Sequence, residues 1–288
     1  DNDCDGSVDE DYGPGCRLLV ESVSAGGFHT CLQTPRSTVR CFGDEPGITP
    51  THSAIYLAGG GDDHCLISAD NEVHCWGASA ALTSTPSGRY SQLGVSRSAD
   101  ACAIEVSSGL AVCWGDTPTL TMTPQSPLSQ VEVAEDWACG LIQDSGQIQC
   151  WGNVPDNSPT PMEPGFTQLS MAGGLACALN AEQTIQCWGV DAYDMLSPPA
   201  GLFATISIGP NSGCAIATNG QTSCWGLGSP ARPHLGQGIV PSGIRLQSMS
   251  VGAYHVCGRR VDGTIACWGA GSPNDPAGPF NAGQATPP

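Results

Sequence analysis

Asp1-Asn2-Asp3-Cys4-Asp5-Gly6-Ser7-Val8-Asp9-Glu10-Asp11 has the ligand pattern of a hard cation. In a D-x-D-x-D-G loop the alternate carboxylates converge, glycine permits the sharp turn, and the seventh residue offers its backbone carbonyl. The predicted Ca2+ ligands are Asp1, Asp3, Asp5, Ser7, Asp9 and Glu10. Tyr12 stands where a full twelve-residue calcium loop has its bidentate Glu, so Glu10, Asp11 or a neighbouring chain has to complete the shell. Six of the 27 acids fall within these first eleven residues, and such density without a cation repels itself. The bland alternative is a solvated acidic tail; a Cys4–Cys16 bridge tying the loop down favours the calcium site.

Other chemistry is harder to build. His29, His64 and His255 each lie just before a recurrent cysteine, and recurrence at a repeat position predicts a hydrogen bond inside the unit rather than catalysis or metal binding. Trp76, Trp114, Trp151, Trp188, Trp225 and Trp268 recur too. They fit packing between units better than a sugar-binding ring, whereas Trp137 falls outside the pattern and suits a surface. No Gly-x-Ser-x-Gly, phosphate loop or zinc-protease helix is present, and no cysteine is left as a nucleophile once all sixteen are paired. The chain is predicted not to be an enzyme. Loops such as 116–124 and 157–161 are rich in Thr, Ser and Pro; they suit O-linked sugars or plain extended connections equally.

The elements that must position these residues come from a repeat. Cys31, Cys65, Cys102, Cys139, Cys177, Cys214 and Cys257 are followed ten or eleven residues later by Cys41, Cys75, Cys113, Cys150, Cys187, Cys224 and Cys267. Each second cysteine precedes an aromatic residue (Phe42, then six tryptophans) and a glycine. Successive copies are 34, 37, 37, 38, 37 and 43 residues apart, a fixed period that signals a repeat architecture. Alternation as in Thr205-Ile206-Ser207-Ile208 predicts a strand before each first cysteine, and further strands carry the two cysteines. Asn219-Gly220, Asp262-Gly263, Ser145-Gly146 and Ser108-Gly109 between them are hairpin turns. A hairpin of this length sets its two cysteines opposite each other, so each pairs within its own unit and Cys4 pairs with Cys16. All-β units of this size stack as a solenoid or close as a propeller. Seven copies, and the removal of open edges, favour an all-β seven-bladed β-propeller with one disulfide in each blade.

Ala25-Gly26-Gly27-Phe28-His29-Thr30-Cys31, echoed by Val251-Gly252-Ala253-Tyr254-His255-Val256-Cys257 and followed by Cys-Trp-Gly, resembles the repeat of the regulator of chromosome condensation family. The resemblance covers roughly residues 18 to 270 and implies a seven-bladed propeller whose last blade is often completed by a strand from the chain's start. Residues 17–20 or the tail after Gly269 would do this. The short units and cysteine pairs look like the secreted bacterial members. The acidic start is similar to Asp-Asn-Asp-Cys-Asp-Gly metal-binding motifs of secreted bacterial proteins and to thrombospondin type 3 calcium repeats. No functional loop of the family matches, so the resemblance implies no catalytic residue.

The 288 residues divide into a disulfide-closed acidic segment (1–16), the propeller (17–270) and a Pro/Gly-rich tail (271–288). Sixteen paired cysteines predict an oxidising, extracellular or cell-surface location. No apolar run is long enough to span a membrane, and the chain reads as exported and mature. Against 27 acids stand nine basic residues, all arginine, giving a net charge of −18 that argues against nucleic acid as a partner. The sequence therefore predicts a calcium-binding, non-enzymatic extracellular protein that self-associates head-to-tail into a filament or surface layer. The competing class is a monomeric secreted binder or inhibitor of a protein or glycan, and a glycan-active enzyme comes last. Asp3→Asn combined with Asp5→Asn is expected to abolish Ca2+ binding in isothermal titration; undiminished binding would place the ion elsewhere.

Overall fold

Each copy of the repeat folds as three consecutive antiparallel strands, and among the described residues no strand is exchanged between copies. The computed structural model describes residues 18–44, 51–155, 160–226, 236–271 and 282–287. Blade 1 holds β1 (Ser22–Ala25), β2 (His29–Gln33) and β3 (Val39–Gly43). Blade 2 holds β4 (Ala54–Gly60), β5 (Asp63–Ser68) and β6 (Val73–Trp76). Blade 3 holds β7 (Tyr90–Val95), β8 (Asp100–Glu105) and β9 (Ala111–Gly115). Blade 4 holds β10 (Leu128–Val133), β11 (Trp137–Ile142) and β12 (Ile148–Gly152). Blade 5 holds β13 (Phe166–Ala172), β14 (Leu175–Asn180) and β15 (Ile185–Gly189). Blade 6 holds β16 (Phe203–Ile208), β17 (Gly213–Ala217) and β18 (Thr222–Trp225). Blade 7 holds β19 (Leu246–Val251), β20 (His255–Arg260) and β21 (Ile265–Gly269).

The first strands touch one another in order, β1–β4–β7–β10–β13–β16–β19, and β19 returns to β1. The ring is closed, as the repeat count implied. Closure uses a bond that the other blades also make. The hairpin of one blade accepts an amide from the start of the next: Ala54 N–H to Ser37 O, Tyr90 to Asn71, Leu128 to Gly109, Phe166 to Gly146 and Phe203 to Gln183. At the seam Val20 N–H donates to Gly263 O at 2.9 Å, and Leu19 forms a single bridge with Thr264. Residues 18–20 thus supply the closing contact without adding a fourth strand to the last blade.

Within each blade the two cysteines are directly opposed in register, and seven disulfides join them with Cα atoms 4.0–4.1 Å apart. The hairpin turns follow the sequence where Gly109, Gly146, Gly220 and Gly263 take positive φ; Ser37, Asn71 and Gln183 fill the same role elsewhere. The glycine after each Cys-aromatic pair also has positive φ, from 84° at Gly152 to 138° at Gly77. At Gly189, for instance, a Cβ would lie 2.2 Å from Gly174 O, so both conformation and space demand glycine.

Between blades, the recurrent aromatic of one unit covers the disulfide of the unit before it. Trp76 packs with Cys31, Trp114 with Cys65, Trp151 with Cys102 and Trp188 with Cys139. Trp225 packs with Cys177, Trp268 with Cys214, and at the seam Phe42 with Cys257. Four indoles also donate to a loop carbonyl of the preceding blade: Trp114 to Leu82, Trp151 to Leu120, Trp225 to Met195 and Trp268 to Gln237, all at 2.9–3.1 Å. For Trp76 and Trp188 the equivalent partners, about 31 residues earlier, fall outside the described residues. The Thr/Pro-rich loops are therefore anchored by buried Leu82, Leu120 and Met195. Each staple closes a short loop and contributes about 2–3 kcal/mol. The double replacement Cys102→Ala, Cys113→Ala is expected to lower unfolding stability by about that amount in urea titration; no shift in midpoint would show that packing alone holds blade 3.

Candidate functional site

The first-to-second-strand turns of all seven blades emerge at one end of the ring, around a channel mouth lined by Gly26, Gly60, Ser96, Ala134, Gly209 and Gly252. The cavity there is about 60 Å³, room for a few water molecules. On the same face the loops after the third strands border a wider groove of about 530 Å³, lined by Phe28, Asp62, Asp63, Ser79, Arg97 and Asp116 among others. Phe28 meets Tyr254 across the seam, with ring centroids 5.2 Å apart. Asp44, Asp62, Asp116, Glu135, Asp191 and Asp194 are exposed at this end and Asp136 is half-buried; Arg97 is the one described arginine among them. Arg36, Arg40, Arg89, Arg245, Arg259 and Arg260 lie at the opposite, hairpin end, where they mix with acids such as Glu21, Asp70 and Asp262. The two ends of the ring thus differ in charge.

Beneath the acidic face, the residue two places before each first cysteine is buried in every blade: His29, Asp63, Asp100, Trp137, Leu175, Ser212 and His255. Asp63 accepts Ser79 N–H at 3.0 Å, and Asp100 accepts Thr117 N–H and Oγ1–H at 2.8 and 2.7 Å, so both carboxylates fasten the loop that follows their own third strand. Burial pushes the Asp63 carboxyl up, against the pull of the Ser79 and Ala78 amides. Trp137, expected at a surface, is 1% exposed and donates to Gly173 O of the next blade at 3.0 Å. Strand alternation turns this position toward the following blade, which the sequence pattern alone does not reveal.

The three histidines make buried hydrogen bonds, but these run between blades and not inside one as expected. His64 sits one place later in its unit than His29 and His255, so it points back toward blade 1. His29 Nε2 and His64 Nδ1 meet at 2.7 Å, and His255 Nε2 meets Thr30 Oγ1 at 2.6 Å. The tautomers follow from the acceptors. His64 Nε2 faces Ser24 O at 3.4 Å and must donate, so its Nδ1 accepts from His29 Nε2–H. Thr30 Oγ1 gives its only proton to Gln284 O at 2.9 Å, so His255 Nε2–H donates to Thr30. All three rings are neutral. Burial, the largest cause, lowers His29 to about 4 against the opposing pull of Asp62 and Asp44, and lowers His64 and His255 to about 3 with help from His29. His29, Cys31 and His64 bring their ligand atoms within 4.8 Å, but Cys31 is bonded to Cys41 and the facing imidazole nitrogens are committed to each other.

A second polar network joins the inner strands. Gln130 accepts Leu169 N–H and donates to Leu169 O of the next blade, and Gln168 does the same to Ile206. Ser170, Ser207 and Ser250 accept Ile208, Val251 and Ala25 N–H, the last across the seam. Glu132 is held by Gln130 Nε2 at 3.0 Å, and its burial pushes the carboxyl up to about 7. The predicted calcium ligands Asp1, Asp3, Asp5, Ser7, Asp9 and Glu10, and the Cys4–Cys16 pair, lie outside the described residues. Of the tail, residues 282–287 dock on the chain's own seam, with Gln284 and Ala285 buried and Thr286 Oγ1 donating to Gly271 O at 2.6 Å.

The chain matches no known protein family and none of the curated proteins. Among solved structures it is similar to the CRINKLY WD40 ectodomain of the Arabidopsis thaliana receptor kinase ACR4, at 23% identity and a TM-score of 0.74 over 90% of this chain and 98% of that one. The entire ectodomain of the Physcomitrella patens receptor kinase CR4 gives 23% and 0.75 over 90% and 76%. Prp20p from Saccharomyces cerevisiae gives 14% and 0.62 over 82% and 81%. These likenesses establish the propeller fold. Thr30→Val keeps the volume but strips the hydroxyl between His255 and Gln284, so the buried His255 Nε2–H loses its acceptor and Gln284 O loses this donor. It is expected to cost about 1–3 kcal/mol and to loosen residues 282–287 in hydrogen exchange; unchanged tail protection would contradict this bridge.

Proposed function

We propose that this chain is a non-catalytic interaction protein that works outside the cell, binds Ca2+ through its acidic start, and assembles head-to-tail with copies of itself. The observation that carries the reading is the polarity of the ring: an acidic loop face with Phe28 and Tyr254 at one end, and nearly all described arginines at the other. Unlike ends favour a heterologous contact, and such a contact repeated without closing makes a filament. Seven disulfides support an oxidising location. No helix among the described residues is long and apolar enough to cross a membrane. Ca2+ at Asp1, Asp3, Asp5, Ser7, Asp9 and Glu10 would neutralise part of the −18 charge that otherwise opposes association.

A second reading, a monomeric secreted binder, is favoured by the 530 Å³ groove on the acidic face. Prp20p has binding properties toward Gsp1p and histones, and the two plant structures are receptor ectodomains, so this fold serves protein contacts elsewhere. Electron microscopy and light scattering of purified material, before and after a calcium chelator, separate the readings. Filaments that fall apart on chelation are expected. Filaments indifferent to chelation would keep the assembly and confine Ca2+ to single subunits, whereas a monodisperse particle near the 29.5 kDa chain mass in both conditions would overturn assembly in favour of the binder.

A further inference from the structure

Three neutral imidazoles are concentrated where the ring closes. His255 belongs to blade 7, His29 to blade 1 and His64 to blade 2, and all three are fully buried. In the tautomers fixed by Ser24 and Gln284, each ring keeps its Nδ1 without a proton; His64 Nδ1 accepts from His29, whereas His29 Nδ1 and His255 Nδ1 are buried without a partner. A further proton would land there and create a charged N–H with no acceptor. The charged groups facing His29 are Asp44, after β3, and Asp62, in the β4–β5 turn. The titratable groups facing His64 are the neutral His29 and His255, with Trp76 stacked on its ring at 5.7 Å; His255 faces His29 and the Thr30 hydroxyl. The two carboxylates draw protons toward His29 only, and burial outweighs them. The same seam also holds residues 18–20 and 282–287: Gln284 O accepts from Thr30 beside His255, while at the hairpin end of the seam Val20 bonds Gly263 and Arg259 Nε donates to Val20 O at 2.5 Å.

We propose that this histidine-lined seam is an acid-operated release, which lets blades 7, 1 and 2 part and frees residues 18–20 and 282–287 while each blade keeps its disulfide. Because the imidazoles hold their protons less readily when the seam is closed, the open form binds more protons between about pH 3 and pH 6.5. The seam is therefore most secure above pH 6.5 and weakens as the pH falls below it. For His29, going from an ordinary value of 6.5 to about 4 on closure, lowering the pH from 7.5 to 5.0 multiplies the opening constant about thirtyfold, and each further imidazole released multiplies it again. Glu132 in blade 4, pushed up to about 7 by burial, takes its proton in the closed form and so opposes opening there as the pH falls, which sets that blade apart from the seam.

Hydrogen exchange of the full disulfide-bonded chain at pH 7.5 and 5.0, corrected for intrinsic rates, tests this. Opening of amides in 29–33, 64–66, 255–258 and 282–287 is expected to rise thirtyfold or more, while 137–142 and 175–180 in blades 4 and 5 show no rise. A uniform rise around the ring, or none at the seam, would overturn the proposal. His29→Gln with His255→Gln removes two of the titrating rings. Its unfolding midpoint is expected to depend less on pH over the same range than that of the parent chain, and an undiminished dependence would overturn the proposal as well. The wild-type exchange pattern decides the matter even where the double variant fails to fold.

Discussion

One apolar contact, repeated seven times, sets the geometry of this molecule: the disulfide of a blade lies beneath the aromatic residue of the blade that follows. Three-stranded blades are thin and carry few large side chains. A disulfide and an indole fill the gap between neighbours with stiff, polarizable groups that have little rotamer freedom to lose. The same kind of contact thus recurs at every blade boundary, the seam included. Phe42 in place of tryptophan marks the seam, where Leu18 and Val20 pack beside it and make up the volume.

On this apolar frame the polar groups act as a register. Gln130, Gln168, Ser170, Ser207 and Ser250 tie one inner strand to the next through backbone groups that an edge strand would otherwise leave to water. The buried carboxylates Asp63 and Asp100 fasten loops on the acidic face. Their role resembles a cap more than a catalytic group, since each accepts backbone amides of its own unit. The scaffold and the loop face are separable: the fold is shared with plant ectodomains and a yeast protein at 14–23% identity, while the groove on the loop face is lined by loop residues such as Phe28, Asp62 and Asp116.

The repeat, strand order, cysteine pairing within blades and propeller closure were legible because each follows from spacing inside a unit of about 37 residues. What escaped depends on relations between units. His29 and His64 look equivalent as neighbours of a cysteine, yet a one-place difference puts them on opposite sheet faces, and only then do they meet. Trp137 looks like an outlier in the sequence because its position is defined by its strand register, not by the Cys-Trp-Gly phrase. The glutamine ladder gives no signal, since Gln at a half-buried strand position is common and its partner lies 38 or 39 residues away. The acidic start is readable as a ligand pattern, but Asp1, Asp3 and Asp5 belong to a segment whose geometry is outside the described residues.

None of the seven disulfides among the described residues joins one blade to another. Each crosslink therefore forms between cysteines only ten or eleven residues apart, inside a single hairpin, and can be made as soon as that hairpin has left the ribosome or the export channel. Mispairing between units is a contest that the local partner wins by proximity. The same independence frees the lineage: duplicating or deleting one unit of about 37 residues adds or removes a complete covalent module and leaves no cysteine stranded. Blade number in such a chain is limited by ring geometry alone.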